Sequence, residues 1–340
     1  MSLLNFFGDV YLEKPARSNV PLAGEYVCNL ESPVTRSARP VWGKINLKAG
    51  GIFFKETFGR NPLAVCLANN HIMDYGEEGL LDTLTALHAE GIGCFGAGSL
   101  ADRCRNPLLL SVDGQRLALL GYVCPTTHPI LASAGASGAA RLDLERIAAD
   151  LGAARAGGAE RIVVQLHWGE EDVGLPRPAD VGKARRIIDM GADLIIGHHS
   201  HCIQAFEVYR GRHIFYGLGN AVFPDTDMVS FSGDGRRGQN RQMRWGRRNR
   251  TSLTVRYDTV SGQVVMRRLY FKNALDVVAG ARPERALCGK VATDGRYGKK
   301  YVRELRLSTL RRLAASFFSR PRLPRKSNLR WLLQRFRADK

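Results

Sequence analysis

A layered α/β fold is predicted for this 340-residue chain on three observations. Short apolar runs alternate with amphipathic helical patterns through the first 223 residues. Each run ends in Gly, Asn, His or Asp, the punctuation of a strand that stops at a loop. Hydrophobic residues make up 44% and charged residues 24%, which excludes a mainly disordered or fibrous protein.

In chain order, residues 6–10, 62–67, 117–123, 161–166, 193–196 and 213–218 read as strands. Residues 74–90 read as a helix. Asp74 stands where it can cap the free N–H groups, Glu77 follows three residues later, and Leu80, Leu84 and Leu87 form one stripe before Gly91 stops it. Residues 141–155 and 179–190 are helical too, the second with Val181, Ala184 and Ile188 on one side. Residues 252–257 and 263–271, joined across Ser261-Gly262, read as a hairpin. These elements define a domain over residues 1–275, within which 224–250 is Gly- and Arg-rich and too long for an ordinary connection, so it is a functional flap or disordered. Residues 276–340 form a basic, partly helical extension. Within it, residues 301–318 carry Val302, Leu305, Leu313 and Phe317 along one side and Arg303, Arg311 and Arg312 elsewhere. A Pro321/Pro324 break precedes a short helix with Leu329, Trp331, Leu332 and Phe336.

The formal charge of +18 is concentrated. Residues 296–340 hold 15 Lys/Arg against two acids, and residues 236–250 hold seven Arg and no acid, so the remainder is nearly neutral. Basic segments attract polyanions or anionic lipid, or simply keep a tail solvated. With Trp245 the lone stacking platform in residues 236–250, nucleic acid is not the expected partner. No run approaches the roughly 20 apolar residues of a membrane span, and the N-terminus lacks signal-peptide features. Seven cysteines without a C-x-x-C pair argue against a disulfide framework or thiolate zinc site, and a cytoplasmic protein is expected, with peripheral membrane contact through the C-terminal helix or docking of that helix on its own domain.

Chemistry gathers at the histidines. Five of eight sit where a predicted strand or loop ends: His71 in N-N-H-x-x-D-x-G, His167 in H-W-G-E-E, and His198, His199 and His201 in G-H-H-S-H. Asp9 in F-F-G-D and Glu31 in N-L-E-S occupy comparable early positions. In open α/β sheets ligands bind at the carboxyl ends of strands, so distant segments can converge there. Imidazole, carboxylate and amide oxygen together suit zinc, manganese or iron.

The series F-F-G-D-V, N-L-E-S-P-V-T, L-A-N-N-H-I-M-D-Y-G-E-E-G-L-L-D-T-L, L-H-W-G-E-E, G-A-D-L-I-I-G-H-H-S-H and I-F-Y-G-L-G-N-A-V-F closely resembles the CapA family of capsule and poly-gamma-glutamate synthesis proteins, over residues 6–223 and the hairpin beyond. That family is similar to the calcineurin-like metallophosphoesterases. The resemblance implies a four-layered α/β/β/α, metallophosphatase-like sandwich and a centre of two divalent metal ions. By the same resemblance, Asp9 is a first-strand ligand, Glu31 the bridging carboxylate, Asn70 the amide ligand and His71 the histidine that meets substrate or leaving group. His167 and His199 complete one metal and His201 the other. Tyr11 stands where the phosphoesterases place a further histidine, and Glu31 replaces their Asp, so the first metal has fewer protein ligands. His198 is an extra histidine that substitutes for a ligand, supports one or meets substrate.

Two such cations about 3.5–4 Å apart acidify a shared water and neutralise charge on a phosphoryl or carbonyl oxygen. His71 is then the general acid. Asp74 either orients its ring or caps the following helix, and capping is the expectation. Trp168 is expected in the core. Asn220 is a substrate contact or a turn residue. Lys44 and Lys48, in a Gly-flanked stretch, either meet an anionic substrate or, as exposed lysines usually do, serve nothing specific. The expected function is a metal-dependent hydrolase acting on an anionic polymer or phosphorylated envelope intermediate. The alternative is a non-catalytic scaffold of a polymer synthesis or export complex, gripping polymer or membrane through its basic segments.

Overall fold

The structure is a computed structural model that describes residues 3–231, 238–271, 276–283 and 291–319. Among these, two sheets carry the fold. The larger runs in the order β2 (Arg17–Ser18), β19 (Asp276–Pro283), β18 (Val264–Phe271), β17 (Thr251–Asp258), β1 (Leu3–Val10), β3 (Glu25–Leu30), β4 (Ala64–Cys66), β5 (Gly93–Phe95), with β14 (Asn220–Val222) pairing the end of β1. The smaller runs β12 (Phe206–Tyr209), β13 (Arg212–Phe215), β11 (Leu194–His198), β10 (Arg161–His167), β8 (Gln115–Val123), β7 (Leu108–Val112). In each sheet the central strands are parallel, β1-β3-β4-β5 in one and β8-β10-β11-β13 in the other. Two small pairs complete the strands: β6 (Ala97–Gly98) with β9 (Gly138–Ala139), and β15 (Thr226–Phe231) with β16 (Gly238–Met243).

Three apolar clusters set the layers. Phe6, Val27, Val255, Leu119, Val163 and Ile196 meet between the sheets, because alternate residues of both point inward. On the outer face of the larger sheet, Tyr26, Cys28 and Val65 pack against α1 (Phe54–Phe58) and α2 (Gly76–Ala89) through Phe54, Phe58, Leu80 and Leu87. On the far side, Ala118, Val164 and Ile195 pack against α3 (Leu144–Ala156) and α4 (Pro178–Asp189) through Ile147, Leu151, Val181 and Ala184. The order of layers is therefore α/β/β/α, as the resemblance implied.

Sequence-based strand and helix positions agree with the structure to within a few residues, but the cap expected for one helix does not form. Helix α2 begins at Gly76, after an N-cap at Tyr75 that makes no side-chain cap. Asp74 does not cap it, and Glu77 instead accepts a hydrogen bond from the Ser137 N–H at 2.6 Å. Within the 224–250 segment, β15 and β16 pair antiparallel. Past residue 275 the chain continues the fold: β19 pairs with β18, and α5 (Gly295–Ser319) lies against it through Tyr301 and Leu305, which bury Val173. Helix α5 thus docks on its own domain, and among the described residues no helix is long and apolar enough to cross a membrane. The short helix expected around Trp331 lies outside the described residues.

Candidate metal centre

The parallel strands of both sheets deliver their carboxyl ends to one place. Asp9 is the penultimate residue of β1, Glu31 follows β3, Asn70 and His71 follow β4, His167 ends β10 and His198 ends β11. Strand register aligns them further, with Asp9 opposite both Asn29 and Asn220, and His167 opposite His198. Gly8 permits the close approach on the β14 side, since a Cβ there would stand 1.8 Å from the Gly219 carbonyl oxygen.

Three overlapping groups of ligand-type side chains result: Glu31, His167 and His199; Asp9, Glu31 and His201; and Glu171, His199 and His201. Glu31 belongs to two of them, and its Oε1 lies 3.7 Å from His167 Nε2 and 3.7 Å from His201 Nε2. Asn70 Oδ1 lies 2.8 Å from His167 Nε2. The loop after β11 is bent to bring two histidines in: His199 (φ 83°) and His201 (φ 50°) both occupy the left-handed region, a cost residues bear mainly at functional sites.

Supporting contacts surround this core. Asp9 Oδ1 accepts from Asn29 Nδ2 at 2.9 Å and lies 3.0 Å from His198 Nδ1, while Oδ2 accepts the His199 backbone N–H at 3.2 Å. His198 Nε2 is 3.1 Å from Gln165 Oε1. With both ring nitrogens engaged and the residue buried, His198 is not open to substrate; it braces Asp9. Asn220 is buried as well, its Oδ1 2.9 Å from His201 Nδ1, so it orients that ring rather than facing the cleft.

Asp74 is fully buried beside this centre. Its Oδ2 accepts the Leu47 N–H at 2.6 Å and lies 2.7 Å from His71 Nδ1, and its Oδ1 is 2.5 Å from Lys44 Nζ. The capping expectation is therefore corrected: Asp74 fixes His71, because the segment around Leu47 folds over it. Lys44 also donates to the Asn70 carbonyl, so its ammonium is tied to the protein. Lys48 donates to the Ser37 carbonyl at 2.9 Å and sits over the Tyr75 ring, and it does not line the cleft. Trp168 is in the core, 1% exposed and stacked on Tyr216, as expected. Tyr11 turns to Phe223 and hydrogen-bonds Glu13, away from the ligand groups.

Burial decides the charge states. It lowers His167 well below the ordinary imidazole value, with the neighbouring histidines adding to the shift, and it lowers His199 to about 4. Both rings are therefore neutral near pH 7, the form that binds a cation. Burial, then the nearby Asp9 carboxylate, raises Glu31 well above the usual range. Burial opposes ionisation of Asp9 too, but the His198 contact and the charges of His198 and His201 outweigh it and hold Asp9 low.

The donor set fits divalent cations. Among the described residues, Glu31 Oε1, His167 Nδ1 and His199 Nδ1 are buried without a hydrogen-bond partner. Buried polar atoms without partners are rare and costly in native proteins. A cation beside Glu31 Oε1 gives that oxygen a partner and compensates the Asp9–Glu31 pair, and the mixed oxygen and nitrogen set suits zinc, manganese or iron.

A cleft of about 410 Å³ opens beside the centre, lined by Lys44, Asn70, His71, Thr127, His199 and Arg312 among others. A second, of about 270 Å³, is walled by His71, Glu171, His201, Phe223, Trp245 and Arg312 among others. Several contributors were not foreseen. Asn29 bridges Asp9 and, at 3.4 Å, Glu31; it was visible within N-L-E-S but reads as an ordinary strand residue. Asn69 Oδ1 accepts the His71 and Ile72 N–H groups and so shapes the turn that presents Asn70. Trp245 packs 5.0 Å from His201 and Arg312 lines both clefts, and nothing local in the sequence places them there; Glu171, within H-W-G-E-E, lines both as well, as a residue flanking His167 can.

Comparison with known proteins places this geometry in context. Residues 6–225 match the family described as "Bacterial capsule synthesis protein PGA_cap". The chain is 36% identical over 228 residues to the "Capsule biosynthesis protein CapA" of Bacillus anthracis, covering 65% of this chain and 56% of that protein. It is 35% identical over 205 residues to the "PGA biosynthesis protein CapA" of Bacillus subtilis (strain 168), covering 59% and 54%. The chain thus spans about half the length of the curated relatives it matches. A solved 5'-nucleotidase precursor from Thermus thermophilus is similar at 18% identity and a TM-score of 0.35, over 74% of this chain and 43% of that one.

Proposed function

Because this chain belongs to the bacterial capsule synthesis protein PGA_cap family, we propose that it is a metal-dependent hydrolase acting on an anionic substrate in the making of a capsule or poly-gamma-glutamate-type polymer. The observation that carries this reading is the sharing of Glu31, whose buried Oε1 lacks a hydrogen-bond partner, between two buried ligand groups. In it, Glu31, His167 and His199 with Asn70 would hold one cation, and Asp9, Glu31 and His201 would hold another. Divalent cations there would supply Lewis acidity, acidifying a water and offsetting charge on a phosphoryl or carbonyl oxygen.

The chain's own groups do the rest. His71 faces both clefts, and Asp74 holds its Nδ1, so Nε2 is the nitrogen that passes a proton to a leaving group. Lys44 pairs with the other oxygen of Asp74 and so keeps the carboxylate aligned on the ring. Phe223 and Trp245 wall one side of His201 and limit water there. The reading takes the protein as cytoplasmic, consistent with six described cysteines that are all unpaired thiols.

The test is hydrolysis of phosphomonoester, phosphodiester and gamma-glutamyl model compounds by protein carrying restored metal. One class should be cleaved, chelator should stop the cleavage, and His71→Ala should slow it at least about 100-fold with metal retained. Full metal loading with no cleavage of any class would refute hydrolysis and favour a scaffold.

A further inference from the structure

The docked face of α5 is not wholly apolar. Tyr301, Leu305 and Ser308 are buried along it, and the 4-3-4 spacing that links them places Arg312 on the same side. Helix α5 is anchored by Tyr301 and Leu305 on Val173 and by the Tyr297 hydroxyl, which donates to the Pro176 carbonyl at 2.9 Å. Glu304 adds an ion pair to Arg248 at 3.1 Å. That anchoring carries Arg312 to the segment after His167, where its Nε lies 2.7 Å from Asp172 Oδ2 and its Nη2 donates to the Glu171 carbonyl. Nη1 is held more loosely, 3.5 Å from Glu171 Oε2.

Arg312 lines both clefts beside the candidate centre, as does His71. Lys44, the other Lys or Arg lining either cleft, is committed to Asp74 and the Asn70 carbonyl. Asp172 also accepts from Asn249, so the acid that steadies Arg312 is itself held in place. Glu171 has a competing use, since its carboxylate lies within reach of His199 and His201.

We propose that Arg312 is a substrate-positioning residue that receives an oxyanion, the carboxylate or phosphate of the substrate, in the cleft beside His71, and that helix α5 is thereby part of the site. One edge of the guanidinium is fixed by Asp172 and the Glu171 carbonyl, and Nη1 presents the donors that meet the anion. The position lies outside the residues 6–225 that match the family, so it belongs to this chain's own C-terminal segment. The inference rests on the hydrolase reading of the same centre.

The test uses the full, metal-loaded chain with inorganic phosphate and glutarate as probes, titrated calorimetrically at low salt. Arg312→Gln should weaken the better-bound probe about 10- to 100-fold, the loss of one charge-assisted contact. Arg312→Lys should recover part of that loss, and Arg303→Gln, exposed on the same helix, should stay within about twofold of the unaltered chain. Preference for phosphate or for glutarate identifies which oxyanion the site takes. Thermal melts establish that each variant is folded, and Arg312→Lys, which keeps the charge, serves should Arg312→Gln melt early. Metal content on the same samples separates the two readings: no metal in the unaltered chain refutes the hydrolase reading, whereas intact metal with equal binding by Arg312→Gln refutes the role of Arg312. Absence of binding by both probes to the metal-loaded chain overturns the proposal as well.

Discussion

Asp74→Asn separates two roles that one carboxylate could fill. As a helix cap, Asn is about as good as Asp, so the substitution should be nearly silent. In the structure the fully buried carboxylate instead meets the Leu47 N–H, His71 Nδ1 and Lys44 Nζ within 2.5–2.7 Å. An amide retains one acceptor for Leu47 but loses its charge, leaving Lys44, 18% exposed, without a counterion. Hydrogen bonds to charged groups are worth about 1.5–3 kcal/mol, and breaking a buried pair costs about 3–5 kcal/mol. Because Lys44 keeps partial access to water, the lower end applies, near ~3 kcal/mol. Urea denaturation should show this as a lower midpoint with unchanged slope. Catalysis should fall further than stability suggests, by about 100-fold or more, since His71 loses the carboxylate charge that stabilises its protonated ring. Metal content should be unchanged, because Asp74 is in none of the ligand groups. A variant as stable and as active as the unaltered chain would refute this reasoning.

Further outcomes follow from the same geometry. In metal-free protein His199 titrates near 4 when folded against 6.5 when unfolded, so the unfolded chain binds more protons between those values and stability falls as pH falls. The loss is about 2 kcal/mol by pH 5 and about 3.4 kcal/mol below pH 4, and denaturation of His199→Gln should show a curve flatter by that amount. His198→Ala removes the brace on Asp9 and should weaken metal affinity about 10- to 100-fold in chelator competition, although His198 is in none of the ligand groups; unchanged affinity would contradict that role. Gly8→Ala sets a methyl against the Gly219 carbonyl and should cost about 3 kcal/mol or more, measured by thermal melting; a neutral effect would mean that β1 and the turn before β14 are not so closely apposed.

Much of this centre was legible in the sequence because its chemistry sits at strand ends. Asp9, His167 and His198 close or nearly close β1, β10 and β11, and the parallel arrangement brings those ends together. What sequence could not show is contact made across the fold. The D-x-x-E pattern at Asp74 is a sound local capping signal, but the Leu47 segment reaches over it and claims the carboxylate. His198 and Asn220 looked available to substrate until the packing buried them against Asp9 and His201. Arg312 fell off the apolar stripe drawn through Val302, Leu305 and Leu313, yet the helix docks on the face that includes it. Trp245 read as part of a polar run and instead folds back onto His201.

Elemental analysis of the purified full chain beside its Glu31→Gln variant tests the centre most directly. Glu31 belongs to two ligand groups, so the unaltered chain should carry divalent cation, approaching two per chain when supplied, and the variant should lose most of it while remaining folded. Stoichiometric metal absent from the unaltered chain, or retained in full by Glu31→Gln, would contradict the account.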